Sequence, residues 1–428
     1  NFLINQFVRK KINECTDCIV HIDKKQFYNQ KELLLSSLNI KSVGKLDLEF
    51  LKNIEHIDLS SNDIRRLNSS FFQQFPNLKK FTITESGLTS IGREVFKNSF
   101  RLVELNLSTN IFSVIKPNIF EKLVNLKVLD LSDSMIRWIS RNSFNGLVNL
   151  EKLNLENNTL YSIESNQFKH LVNLKSLNLS KNPIETIKQN AFGGLFKLKV
   201  LKLNELRLMV IKPNIFSDLT SLTELSLSDN AICDLEPSFF NGLGNLEKLE
   251  LDCNLLRIIK PNTFYKLKKL EILDLNENLI KKINWNCFNG LGNLKNLVLS
   301  NCKLKMIKPF VFKDLKQLKN LSLQGNKIQD IGSESFVGLD KLEFFNLSSN
   351  SINYIDQGSF RMMSSLVELK LSENKIDKIC LESLKGIDFS RLKKLDLSEN
   401  MIENIDHELL LNLKNVKLDL QDNLIGEK

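Results

Sequence analysis

Seven cysteines and four histidines are the side chains of this 428-residue chain best suited to metal binding, nucleophilic attack or redox chemistry. Cys15 and Cys18 form a C-x-x-C, which is half of a common zinc motif, but a tetrahedral site needs four ligands and no second C-x-x-C exists. Cys233, Cys253, Cys287, Cys302 and Cys380 are scattered, and an odd total leaves at least one thiol without an intrachain partner. His21, His56, His170 and His407 are far apart, and neither G-x-x-x-x-G-K-[ST] nor G-x-S-x-G occurs. No nucleophile with its base, no phosphate loop and no ligand set is legible, so the chain reads as a non-enzyme with no cofactor and no metal.

A second chemistry is available to asparagine. Six N-x-S/T sequons occur, at Asn68, Asn106, Asn157, Asn178, Asn320 and Asn346. Three of them lie in "LNLS" or "FNLS", a phrase that the chain repeats for other reasons. Asn68 and Asn157 stand apart from it and are the glycosylation candidates.

The other reason is a period. Aligned on L-x-x-L-x-L-x-x-N-x-L, the Asn position falls at 38, 62, 86 and onward to 374, fifteen positions on one unbroken 24-residue step. Two more follow at Asn400 and Asn423. The alternating L-x-L predicts a short strand with leucines facing a core, and stacked repeats pair these strands in parallel. The Asn is expected to turn the chain and bond the backbone groups stranded at the corner. Ten residues after it stands a Phe in thirteen consecutive repeats, from Phe72 to Phe360, which predicts a phenylalanine spine. The grammar fails at Leu38, Ser86, Ser134, Leu206 and Cys302, and residues 379–392 carry two extra residues, read as a plain insertion. The heptapeptide "VIKPNIF" stands at 114–120 and again at 210–216, four repeats on. The fold is expected to need its Ile and Phe but not its Lys-Pro-Asn, which reads as a copied edge left by tandem duplication of a two-repeat unit.

This pattern resembles the typical 24-residue class of extracellular leucine-rich repeats, as in "LVELNLSTNIFSVIKPNIFEKL" (102–123) and "LTELSLSDNAICDLEPSFFNGL" (222–243). It is similar to Toll-type receptor ectodomains, chaoptin and insect leucine-rich immune proteins. The resemblance implies an α/β solenoid, a horseshoe with a concave parallel β-sheet and a mostly irregular or short-helical convex side. It implies a partial N-terminal cap at 1–32, with Cys15 and Cys18 as disulfide candidates, and an array of about 17 repeats at 33–428 with no C-terminal cysteine cap. The chain, which opens on Asn1, is read as a processed or excerpted piece continuing beyond Lys428.

Function then falls to the outward strand residues. The position between the core leucines carries six acids and two bases, so the formal charge of +9 must lie elsewhere, including Lys116, Lys212, Lys260 and Lys308 of the "IKP" copies. Solvated lysines are the preferred account of that charge, over a stripe for anionic glycans or nucleic acid. Asp130, Asn154, Lys202, Glu250, Ile272, Asp274, Val298, Phe344 and Lys370 are the ligand-binding candidates; Ile272 and Val298 come nearest to an apolar patch, and Phe344 is the largest anchor. The resemblance implies an extracellular recognition module, secreted or a cell-surface ectodomain, for a protein or microbial surface ligand in innate immunity. Its partner would be a protein or glycan on the concave or lateral surface, with homo- or hetero-dimers open. Nucleic acid is not expected, nor a membrane except through a segment outside this sequence. Cell adhesion and an intracellular scaffold are the alternatives.

Overall fold

The leucine alternation becomes strand wherever the computed structural model describes the chain, at residues 30–43 and 52–426. Each main strand is three residues long, and all but the last, Lys417–Asp419, have a buried apolar residue in the middle, as in Glu104–Asn106 and Ile272–Asp274. The chain divides into two units, Asn1–Arg207 and Leu208–Lys428. Among the described residues, eight such strands lie in the first unit and nine in the second. Each unit is a parallel β-solenoid with little helix. Neighbouring strands pair in register at the 24-residue offset, for example Leu105↔Leu129 and Leu273↔Leu297. The predicted cysteine-bearing cap segment lies outside the described residues.

The corner asparagine does what its chemistry requires. Asn254 Nδ2 donates to the carbonyls of Leu227 (2.9 Å), Leu251 (3.1 Å) and Asp252 (3.1 Å). Its Oδ1 accepts from Ile232 N–H at 3.0 Å. One side chain therefore ties its own turn to the preceding coil, and the same pattern recurs at Asn110, Asn158, Asn278 and Asn350. Buried backbone groups left without these partners would each cost about 1–3 kcal/mol. Ser134 makes a reduced version, reaching Ser132 O at 2.8 Å and Leu107 O at 3.4 Å. Cys302 offers Leu275 O only a thiol, at 3.4 Å.

Ahead of each corner the backbone turns left-handed. Thr109, Asp133, Asn157, Lys181, Asp229, Cys253 and Glu277 all have φ between 51° and 57°. A second left-handed position recurs eight residues after the corner, at Asn118 (59°), Asn142 (62°), Asn190 (59°), Asn214 (61°) and Asn262 (59°). Asparagine tolerates this conformation better than other side chains bearing a Cβ. The Asn of "VIKPNIF" is therefore favoured by its left-handed backbone, a local reason for it that the sequence expectation did not include. Phe310, φ 63°, occupies the same position with a bulky side chain.

Outside the strands the spine phenylalanines are buried. Phe144, Phe168 and Phe192 stack at 5.9 and 6.3 Å between ring centroids in the first unit, and Phe288, Phe312 and Phe336 at 5.9 and 6.3 Å in the second. The two extra residues near 388 leave the strands in register, Leu369↔Leu395, because the outer loop absorbs them and Leu384 fills the place of the missing ring.

The ladder yields a stability test. Cys302→Asn restores the missing rung and is expected to raise stability by about 1 kcal/mol, read as a higher thermal midpoint; Asn254→Ala moves the midpoint the other way. An unchanged midpoint in Cys302→Asn would show that the thiol already serves the corner as well as an amide.

Candidate functional site on the main sheet

Where a small residue on the main sheet is flanked by large ones, the sheet face becomes concave. In the second unit Ser322 and Asn320 lie between Asn296 and Val298 on one adjacent strand and Phe344 and Asn346 on the other. Glu368 and Lys370 follow in register on the next strand. The resulting open hollow, of about 400 Å³, is lined by these residues over buried Leu297, Leu321 and Phe345. Phe344 is 43% exposed, a large apolar wall facing solvent.

The polar rim is held in place. Asn320 Nδ2 donates to Asn296 Oδ1. Asn346 Nδ2 donates to Gln324 Oε1 at 2.9 Å, and Asn346 Oδ1 accepts from Ser348 N–H at 3.0 Å. The Lys370 ammonium lies 3.4 Å from Glu368 Oε1, which also faces Lys394 at 3.8 Å. An apolar wall with a fixed polar rim is the layout of a pocket that takes a projecting side chain or ring.

Beside the hollow the sheet is acidic. Glu250, Asp274 and Val298 occupy one row on successive strands. Burial raises the Asp274 carboxyl above its usual value, aided by Asp252 and Glu250, while the Asn276 N–H (2.9 Å) and Lys248 oppose the shift. Lys248 bonds Glu250 at 2.6 Å. Asp229, Asp252 and Cys253 also converge, their donor atoms within 4.8 Å. The sequence reading found no such set, because Asp229 and Cys253 become neighbours only through the 24-residue register. Burial and the surrounding carboxylates push the Cys253 thiol up to about 12, and three donors fall short of the four of a structural zinc site.

Of the sequence candidates, Val298, Phe344 and Lys370 line the hollow, with Glu250 and Asp274 in the acidic row beside it. Ile272 pairs with Asn296, so it lies diagonal to Val298 and not opposite it. Asp130 and Asn154 are partners in the first unit, where Lys202 pairs with Asn178. The polar members Asn296, Ser322 and Glu368 were missed; comparing side-chain size at positions 24 apart would have exposed the dip at Ser322. The cysteines 233, 253, 287, 302 and 380 are free thiols. Asn68 is exposed and caps the Ser69–Phe72 helix, its Oδ1 accepting from Ser70 N–H, and Asn157 is exposed at a left-handed turn. Cys15 and Cys18 lie outside the described residues. Among those residues no helix is long and apolar enough to cross a membrane.

Repeat length, ladder and spine together define a leucine-rich-repeat solenoid. The chain belongs to the BspA-type leucine-rich-repeat family, whose repeat region matches in six overlapping copies at residues 7–127, 89–223, 137–271, 185–303, 233–366 and 281–417. Its structure is similar to a chain of the Toll–Spatzle complex of Drosophila (TM-score 0.76, 23% identity), covering 90% of this chain and 50% of that one. This chain thus spans about half the length of that relative. It is also similar to a leucine-rich-repeat protein of Leptospira interrogans (TM-score 0.70, 26% identity, 94% and 93% covered) and to an internalin of Listeria monocytogenes (TM-score 0.58, 22% identity, 80% and 93% covered). No curated protein sequence matches significantly.

The acidic row gives a pH-dependent outcome. The raised Asp274 value means that its stability contribution is intact below the unfolded value, near 3.8, and is lost as pH rises through the folded one. Asp274→Asn, which keeps an acceptor for Asn276 N–H, is expected to raise the denaturation midpoint at neutral pH, with the gain vanishing below the unfolded value. Equal gains at both pH values would place the effect in packing instead of charge.

Proposed function

We propose that the chain is a non-enzymatic extracellular recognition module that binds a protein ligand on its main sheet, in innate immune recognition. The observation carrying this reading is the hollow walled by Phe344 and Val298 and rimmed by Asn296, Asn346 and Lys370. Its ladder-held strands lose little freedom on binding, so contacts made there convert efficiently to affinity. A complex of Toll with Spatzle, among the similar structures, supports a protein as occupant. The cap at 1–32 and the array at 33–428 complete the proposed organisation.

Affinity capture on the immobilised chain, from animal body fluid and from microbial surface extract, tests the site. Phe344→Ala is expected to weaken capture by about 2 kcal/mol, roughly 30-fold, with the thermal midpoint unchanged because the ring is exposed. Capture indifferent to Phe344→Ala and to Val298→Glu would remove the hollow as the site. Location is tested separately by secretion from animal cells: glycosidase treatment is expected to lower the mass, and Asn68→Gln with Asn157→Gln to abolish that change. A cytosolic, sugar-free product would favour the intracellular scaffold.

A further inference from the structure

The main sheet does not hold the positive charge, and the structure shows where a dense part of it lies. Arg257, Lys281, Lys282, Lys303, Lys305 and Lys308 are all exposed on three consecutive coils of the second unit. The register is fixed by backbone bonds: Lys281 N–H to Arg257 O at 3.2 Å and Lys303 N–H to Ile280 O at 3.0 Å, with Ile258↔Lys282 paired as strand. At about 4.8 Å per strand, six cations fall within roughly 10 Å along the stacking direction. Segments 255–259, 279–285 and 303–310 contain no acid. None of the six makes an ion pair among the described residues, whereas Lys260 beside them is held by Asp234 at 2.7 Å and by Glu236. The "IKP" lysines were thus the wrong marker of this stripe, because most of its charge sits at positions one, three and four past the corner.

Charge is half of the face. Large apolar side chains stand among the cations, with Ile258 40%, Trp285 65%, Met306 57% and Phe310 46% exposed. Phe310 carries the independent clue. It adopts φ 63° where Asn118, Asn214 and Asn262 serve in sibling coils. A bulky residue there costs on the order of 1 kcal/mol or more, and nearly half of the Phe310 surface is still left exposed.

We propose that this lateral face docks on an anionic lipid surface, its lysines meeting phosphate headgroups and Trp285, Met306 and Phe310 entering the boundary with the acyl chains. A soluble polyanion would satisfy the cations and leave the apolar side chains in water. A protein partner fits less well, since lysine is depleted in protein interfaces, while lysine stems with aromatic rings are the usual membrane-boundary set. The face is separate from the main-sheet hollow, so the two readings stand or fall apart.

Cosedimentation of the chain with equimolar phosphatidylglycerol–phosphatidylcholine vesicles, against pure phosphatidylcholine, tests it. Expected are binding to the anionic vesicles only, weakening with salt, and a blue shift of Trp285 emission in a Trp138→Phe background. Lys281→Glu with Lys305→Glu should cost about tenfold or more. Phe310→Asn should weaken binding several-fold while raising the thermal midpoint, which separates function from folding. Absence of vesicle binding, or equal binding to the zwitterionic vesicles, overturns the proposal. So does equally tight binding of dextran sulfate or a single-stranded oligonucleotide that Trp285→Ser and Phe310→Asn leave unchanged, which would identify a soluble polyanion.

Discussion

The corner asparagine is the interaction on which the rest depends. Each coil ends in a left-handed residue that L side chains resist, and the turn exposes carbonyls and N–H groups that neither sheet nor helix can satisfy. A single amide answers both problems: its nitrogen holds carbonyls of its own coil and of the one before, and its oxygen receives N–H groups of the preceding coil. The backbone strain of one turn is therefore secured by the next. Because the bond crosses coils, it also sets the 24-residue register, and that register decides which outward side chains become neighbours.

Consequences follow for where variation is tolerated. An amide ladder, a leucine row and a phenylalanine stack leave little freedom inside the coil, since interiors at crystal-like density penalise any change of volume. The insertion near 388 shows the boundary of that constraint: it enters the outer loop and leaves Leu369 paired with Leu395. Cys302 and Ser134 mark a second boundary, being small enough to sit at the corner and poor enough as donors to weaken it.

Much of this was legible in the sequence because it is periodic. The strands, the asparagine corner and the spine each repeat many times, and repetition separates signal from coincidence. "VIKPNIF" shows the opposite difficulty. Its Asn looked like a relic of duplication because left-handed backbone leaves no trace in hydrophobic periodicity; only the φ of Asn118 and Asn214 reveals the preference. The hollow was half legible. Phe344, Val298 and Lys370 are individually conspicuous, but concavity is a property of neighbours, and Ser322 between them is unremarkable in one dimension.

The basic face was the least legible, for a physical reason. Charge summed over a chain says nothing about pairing, and the "IKP" lysines that drew notice behave differently from one another: Lys260 is neutralised by two carboxylates while Lys308 is not. What distinguishes residues 255–310 is the coincidence of unpaired cations, exposed apolar side chains and one phenylalanine held against its backbone preference. A regular scaffold makes such a departure informative. Where most sibling coils give this left-handed turn an asparagine, the phenylalanine that keeps the same turn is better explained by what it meets outside the coil than by anything inside it.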